Sequence, residues 1–257
     1  MSIDFGRTAQ DYAVHRAGFP PSLFSRLAAL GIGLPGQNIV DLGTGTGSLA
    51  RGFALRGSLV VGIDPAEALL EQAIQMDVNA QVSVDYRVGR AEKTGLPSAS
   101  ADVVSAGQCW HWFDRPAAAQ EAARILKPDG ILLIAHFDWL PLKGNLVAAT
   151  EALILAHNPK WAMAAGTGLY PQWLVDLGEA DYHHIQTFSY DETVPYTHEA
   201  WRGRIRASAG VAASLAAEQV LAFDQDLARL LHEDFPLDPQ PIPHRVFVVT
   251  ARHPLSS

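Results

Sequence analysis

The sequence predicts an α/β protein in which helices cover both faces of a seven-stranded, mostly parallel sheet, giving three layers in the order α/β/α. Two observations support this. Short apolar segments alternate with helix-like segments through the first half of the chain, as in repeated βαβ units. Nearer the C-terminus, a helical stretch of about 50 residues separates the last two strand-like segments and is too long for a plain turn. It predicts a helical cap over the sheet.

The strands are predicted first, because their apolar runs are short and bounded by turn residues. Near-continuous apolar runs fit strands that are buried on both faces. The predicted strands are Asn38–Leu42, Ser58–Asp64, Val82–Val88, Ala101–Gly107, Gly130–Phe137, 183–196 and Arg245–Arg252. The predicted helices include Leu49–Leu55, Ala66–Met76, Ala117–Leu126, a long helix within 144–158 and a helix followed by a turn within 171–182.

Composition and charge narrow the class of protein. The chain has 257 residues, of which 48% are hydrophobic, enough for a substantial core. Its net charge of −8 disfavours general binding to nucleic acid. Cys109 is the single cysteine, so no internal disulfide can form, which suits a reducing, cytoplasmic setting. With neither a secretory signal nor an apolar run of roughly 20 residues, we expect a soluble protein that does not span a membrane.

A glycine-rich turn, "IVDLGTGTGSLA", carries the strongest functional signal. The strand reaches Asp41, and Gly43, Gly45 and Gly47 then allow a sharp bend and a close ligand approach. Ligands of open α/β sheets bind beyond the carboxyl ends of the strands. A P-loop would need a following lysine, and a dinucleotide fingerprint would need glycine at Ser48. The acid before the glycines suits a cationic cofactor.

These residues resemble motif I of the class I S-adenosylmethionine-dependent methyltransferases, which have a Rossmann-like fold. The resemblance continues through "VVGIDPAEALLEQA", "GRAEKTGLPSASADVVSAG" and "EAARILKPDGILLI", and covers roughly Phe5–Asp138. It is strongest for the subgroup of ubiquinone/menaquinone-type and trans-aconitate-type methyltransferases. It implies S-adenosyl-L-methionine as the cofactor, Asp64 as the acid that holds the ribose hydroxyls, and Ala91 with Glu92 beside the adenine.

The resemblance also implies which residues bind the cofactor and how the chain is divided. It implies one methyltransferase domain over 1–257, with cofactor-covering N-terminal helices in 1–35, a cofactor-binding core in 36–138 and the helical cap in 195–243. The N-terminal segment would contribute Tyr12 and Arg16. The full predicted set is Tyr12, Arg16, Asp41, Gly43, Thr44, Gly45, Gly47, Asp64, Pro65, Ala91, Glu92, Gln108 and Cys109.

The run "GQCWHWFDR" follows the fourth strand, where the family brings substrate to the methyl group. His111 is the predicted general base, and Trp110 is a substrate candidate. If the run is extended, Trp110 and Trp112 point to one side, and His111 and Phe113 to the other. Asp114 is predicted to cap the next helix.

Further substrate candidates are His136 and Asp138 after the fifth strand, and Trp201 with Arg202 in the predicted cap. Arg204 and Arg206 also stand out there. Arg202 and Arg206 are four residues apart, so they share a helix face that could bind a substrate carboxylate. The aromatic residues that could line a pocket or fill the core are Trp139, Trp161, Tyr170 and Trp173. No convincing set of metal ligands is present, so we predict no metal.

The predicted function is S-adenosylmethionine-dependent methyl transfer to oxygen or nitrogen of a small organic acceptor, by in-line displacement. The amino-methyltransferases of nucleic acids carry Asn/Asp-Pro-Pro-aromatic where this chain has "GQCWHW", which argues against nucleic acid. A monomer or homodimer is expected. Two alternatives remain open from the sequence: an NAD-dependent oxidoreductase on a similar sheet, and a non-catalytic binding module.

Overall fold

The computed structural model describes residues 18–252, which form two compact units. The sheet unit comprises residues 18–137, 170–190 and 246–252. The helical unit comprises residues 138–169 and 191–245. Each unit is therefore built from segments that are far apart in the chain. That the chain forms a single domain stays a prediction.

Seven strands form one sheet in the order β3-β2-β1-β4-β5-β7-β6. The pairs β1–β2, β2–β3, β1–β4 and β4–β5 are parallel. Flanked by helices, this sheet confirms the predicted fold class. The strands are β1 Asn38–Leu42, β2 Leu59–Asp64, β3 Asp85–Val88, β4 Ala101–Gly107, β5 Leu126–Trp139, β6 His183–Tyr196 and β7 Gln240–Arg252.

The carboxyl ends of three neighbouring strands meet at β1. Asp41 of β1 lies in register with Gly62 of β2 and with Ser105 of β4. The strand order reverses between β1 and β4, which is where open α/β sheets leave a crevice for ligands. The glycine turn leaves β1 at this crevice, and the segment after Gly107 leaves β4 there.

The helices of the sheet unit are α1 Pro21–Ala29, α2 Ser48–Ala54, α3 Glu67–Ala80, α4 Arg115–Ile125 and α6 Gln172–Glu179. As predicted, Asp114 caps α4, accepting a hydrogen bond from the amide of Ala117. The third strand is shorter than predicted. After α3, the chain first turns through Gln81 in the left-handed region with φ 57°, and pairing with β2 begins only at Asp85.

The helical unit contains α5 Leu146–His157, α7 His198–Arg206 and α8 Ala217–Asp234. Phe223, Leu227 and Leu231 recur every four residues on α8 and are all buried. They share an apolar core with Trp201 and Ile205 of α7. Both α7 and α8 lie between β6 and β7 in the chain, within the segment predicted to form the cap; the cap itself stays a prediction.

Candidate cofactor and acceptor site

The glycine loop, residues 43–47, has the backbone conformation that its composition predicts. Gly43, Gly45 and Gly47 have φ values of 61°, 55° and 76°, in the left-handed region that favours glycine. Asp64, at the end of β2, accepts hydrogen bonds of 2.9 Å from the amides of both Gly45 and Ala66. A single carboxylate thus fixes the loop and the turn that follows β2.

The three glycines differ in the space around them. A Cβ on Gly47 would lie 2.1 Å from the Tyr86 hydroxyl, and one on Gly43 would lie 2.9 Å from Cys109 Sγ and Phe113 Cζ. A Cβ on Gly45 would meet no atom of residues 18–252 within 4 Å. Gly43 and Gly47 therefore pack against the protein, whereas the backbone at Gly45 faces the open space that an approaching cofactor requires.

Sequence reasoning missed the side chain that ties the glycine loop to α3. Arg51 of α2 forms a 2.5 Å ion pair with Asp77 of α3. Its guanidinium also donates to the carbonyl oxygens of Thr46, at 2.8 Å, and Ala73, at 3.1 Å. An arginine one helical turn after the last glycine is the only local signal of this contact.

Asp41 lies inside the sheet and is only 1% exposed. Ser105 Oγ donates a 2.6 Å hydrogen bond to its carboxylate. Burial raises the pKa of Asp41 to about 6, opposed by Ser105 and Thr44. Burial also raises the pKa of Asp64, and the amides of Ala66 and Gly45 act in the opposite direction.

The run after β4 is not extended, so the predicted alternation of side chains is wrong. Residues Trp110–Trp112 form a 3-10 turn, closed by a 2.8 Å hydrogen bond from the Trp112 amide to the Cys109 carbonyl. Trp110 is fully buried and donates to Asp176, whereas Trp112 is 46% exposed. The two tryptophans therefore have different roles, and His111 between them is half-buried.

The start of this run is fixed by two hydrogen bonds. Gln108 adopts a left-handed conformation with φ 61°, and its amide donates to Ala135 of β5 at 2.8 Å. The Cys109 thiol donates to the carbonyl of Leu42 at 3.1 Å, at the start of the glycine turn. Cys109 therefore links the run after β4 directly to the end of β1.

His111 belongs to a histidine–aromatic cluster with His136, Tyr170, Trp173 and Phe247. The rings of His111 and His136 lie 5.5 Å apart. The Tyr170 hydroxyl is 3.3 Å from His136 Nδ1, and the Tyr170 ring stacks on Trp173 with centroids 4.2 Å apart. Phe247 packs against both of these rings. The structure thus assigns Tyr170 and Trp173 to this cluster.

The remaining predicted cofactor residues have varied surroundings. Ala91 is buried and Pro65 is exposed. Glu92 accepts a 3.1 Å hydrogen bond from the amide of Asp114, which connects it to the start of α4. Tyr12 and Arg16 lie outside the described residues.

In the helical unit, the predicted carboxylate-binding pair already has a partner. Arg202 and Arg206 do share a face of α7, but both form ion pairs with Asp224 of α8. The expectation that they are available for a substrate therefore finds no support.

Trp201 is fully buried and donates to Thr150 at 3.1 Å. Asp138 is half-buried at the end of β5.

Among residues 18–252, no group of three or more histidine, cysteine, aspartate or glutamate side chains is placed to hold a metal ion. No helix in that part of the chain is long and apolar enough to cross a membrane.

Comparison with known proteins identifies the family. Residues 40–134 match a family described as a methyltransferase domain. An uncharacterized methyltransferase of Mycobacterium bovis is 33% identical over 196 residues, which are 69% of this chain and 76% of that protein. A ubiquinone biosynthesis O-methyltransferase of Xanthomonas campestris is 27% identical over 179 residues, covering 69% of this chain and 73% of that protein.

A similar fold occurs in Haemonchus contortus phosphoethanolamine N-methyltransferase 2, solved in complex with S-adenosyl-L-methionine. The TM-score is 0.56 at 18% identity, and the likeness covers 98% of this chain and 57% of that one. The family match decides against the oxidoreductase and the non-catalytic alternatives. The chain belongs to the class I S-adenosylmethionine-dependent methyltransferases, and S-adenosyl-L-methionine is its cofactor.

Proposed function

We propose that this methyltransferase acts on oxygen or nitrogen of a small organic acceptor, with the cofactor at the glycine loop and the acceptor at His111. One observation carries the proposal. Cys109 and Phe113, which bracket the His111 turn, both lie against Gly43, where an added Cβ would be 2.9 Å from each side chain. His111 is therefore held beside the loop that we assign to the cofactor.

The residues at the glycine loop fit the cofactor. The backbone at Gly45 is open to a ligand, Asp64 is the last residue of β2, and Ala91 and Glu92 follow β3. Each Asp64 oxygen accepts one amide, and a carboxylate oxygen has a further lone pair for a ribose hydroxyl. When bound, S-adenosylmethionine supplies an electrophilic methyl group. Roles for Tyr12, Arg16 and Pro65 stay predictions.

The histidine–aromatic cluster would orient the acceptor and take its proton. The Nδ1 atom of His111 is buried, so we assign Nε2 to the acceptor hydroxyl or ammonium group. Tyr170, through its contact with His136 Nδ1, would fix the ring of that second imidazole. The surrounding rings of Trp173 and Phe247 would favour an acceptor with an apolar part.

Other properties belong to the same proposal. The ubiquinone biosynthesis O-methyltransferase that this chain resembles supports an organic acceptor. We keep the expectations that the protein does not act on nucleic acid, is a monomer or homodimer, and is cytoplasmic. Trp110 and Trp201 are fully buried, so we propose no direct substrate contact for them. A substrate contact by the half-buried Asp138 stays a prediction.

A methyl-transfer screen over small metabolites with mass detection tests the acceptor, and calorimetry with S-adenosylhomocysteine tests the cofactor site. We expect His111→Gln to keep the affinity for S-adenosylhomocysteine within about twofold and to lower kcat roughly 100-fold or more, the range of general base catalysis. His232→Gln, on the exposed side of α8, is the matched control and should change neither value. An unchanged kcat in His111→Gln would remove the proposed base, and no binding at millimolar concentration would remove the site.

A further inference from the structure

Three arginines of α7 have different environments. Arg202 and Arg206, one helical turn apart, both donate to the carboxylate of Asp224. Arg204 lies between them in sequence and therefore points away from that face of the helix. Its charge must be accommodated by other residues of the helical unit.

The Arg204 guanidinium lies over an aromatic wall. Its Cζ atom is 4.7 Å from the centre of the Trp139 ring, close enough for a cation–π interaction. Trp139 is itself held by a 2.8 Å hydrogen bond from its indole nitrogen to Glu151. The buried Tyr196 side chain forms a hydrogen bond with Arg204, which limits the rotation of the guanidinium group. Both groups that contact Arg204 are thus fixed in position.

No carboxylate among residues 18–252 forms an ion pair with Arg204, in contrast to its two neighbours on α7. Burial lowers the pKa of Arg204, whereas Tyr196 and the charge of Asp138 act to raise it. His244 adds no second positive charge, because its burial, helped by the nearby Arg204, lowers its pKa to about 4. A half-buried cation with no ion-pair partner costs stability unless an anion binds to it.

We propose that Arg204, together with Trp139 and Tyr196, forms a binding site for the carboxylate of a small organic molecule. The planar guanidinium donates two parallel hydrogen bonds to a carboxylate, and its contacts with Trp139 and Tyr196 hold it in one orientation. The aromatic rings favour a carboxylate attached to an apolar body over an inorganic anion. This site is independent of the function proposed for His111 and can be tested without methyl transfer.

The test uses the whole chain and three probes: benzoate, its neutral analogue benzamide, and inorganic phosphate. Ligand-observed NMR gives the affinities for wild type, Arg204→Gln and the matched control Arg202→Gln on the same helix. We expect benzoate to bind wild type at millimolar concentration or below, and at least tenfold more weakly to Arg204→Gln. Arg202→Gln should retain the wild-type affinity within about twofold. Benzamide and phosphate should bind wild type at least tenfold more weakly than benzoate.

Thermal unfolding without ligand separates a binding role from a structural one. Arg204→Gln should have an unchanged or higher Tm, because it removes a half-buried charge with no ion-pair partner among residues 18–252. Arg202→Gln should lower the Tm, because it removes one of the two ion pairs of Asp224. Asp138→Asn should tighten benzoate binding, because it removes a competing negative charge near Arg204.

The wild-type affinities for benzoate, benzamide and phosphate do not depend on any variant folding. In addition, benzoate should shift the guanidinium ¹⁵N resonance of the wild-type protein that Arg204→Lys removes. The proposal is overturned if benzoate leaves that resonance unchanged, if benzamide or phosphate binds as tightly as benzoate, or if Arg204→Gln retains the benzoate affinity. A large fall in the Tm of Arg204→Gln would also overturn it, by assigning Arg204 a structural role.

Discussion

The glycine loop and the histidine–aromatic cluster are two parts of the sheet unit that hold their polar groups in different ways. At the loop, Asp64 binds two backbone amides, and the neighbouring Asp41 binds the hydroxyl of Ser105. In the cluster, His111 and His136 lie among aromatic rings, with the Tyr170 hydroxyl 3.3 Å from one imidazole nitrogen.

This difference separates two requirements of methyl transfer. The cofactor is the same in every reaction cycle, so its site benefits from a backbone that strong, charge-assisted hydrogen bonds keep in one shape. An acceptor must lose a proton as it reacts, so its site benefits from side chains that can change protonation. Substitutions at the loop should therefore act on stability and cofactor affinity, and substitutions in the cluster should act on kcat.

The largest effect is expected from Gly47→Ala. The new methyl group would meet the Tyr86 hydroxyl at 2.1 Å, on a residue with φ 76°. Left-handed strain and overpacking together should cost about 3–5 kcal/mol in the free energy of unfolding, measured with denaturant. Gly45→Ala is the matched control: with open space around its Cβ, it should cost only about 1–2 kcal/mol. Equal losses in the two variants would contradict the packing assigned to Gly47.

A second test uses pH. Burial raises the pKa of Asp41 from 3.8 to about 6, so the native protein binds this proton more tightly than the unfolded chain. The stability from this group is complete below about pH 4 and is lost as the pH rises through 6. Asp41→Asn cannot titrate, so its free energy of unfolding should rise relative to wild type by roughly 2–3 kcal/mol between pH 4 and pH 7. A constant difference across this range would show that Asp41 ionises normally.

Asp64→Asn tests the carboxylate that fixes the loop. An amide nitrogen cannot accept a hydrogen bond, so either Gly45 or Ala66 would lose its acceptor, at a cost of about 1–3 kcal/mol. We expect the Kd for S-adenosylhomocysteine in calorimetry to rise by roughly 10- to 100-fold. The matched control is Asp85→Asn, at an exposed ion pair with Arg87, which should leave the Kd for S-adenosylhomocysteine unchanged. Wild-type affinity in a folded Asp64→Asn would place the cofactor elsewhere.

The loop was predictable from the sequence because its requirements are local. Glycines with positive φ, a strand before them and a helix after them lie within twelve residues, Ile39 to Ala50. The same locality explains the confirmed capping of α4 by Asp114. The alternation of side chains predicted for Trp110–Phe113 was wrong for a related reason. It assumed that the extended backbone of β4 continues past Gly107, and no repeating pattern in the sequence marks the 3-10 turn that forms there instead.

The contacts that escaped prediction join residues far apart in the chain. Helical spacing showed that Arg202 and Arg206 share a face, but not that Asp224, 22 residues after Arg202, would neutralise them. Asp77 is 26 residues from Arg51, and Tyr170 is 34 residues from His136. Such pairs are set by how helices and strands pack, and the spacing within one element contains no information about them.

The smallest effect is expected in the cluster, from Tyr170→Phe. The variant keeps the ring that stacks on Trp173 and removes only the hydroxyl beside His136 Nδ1. A hydrogen bond of this kind contributes about 1 kcal/mol, so kcat for an identified acceptor should fall roughly three- to tenfold. The affinity for S-adenosylhomocysteine should not change, because the hydroxyl contacts His136 of β5, which lies outside the glycine loop. A weaker cofactor affinity with an unchanged kcat would contradict the division of roles between the two regions.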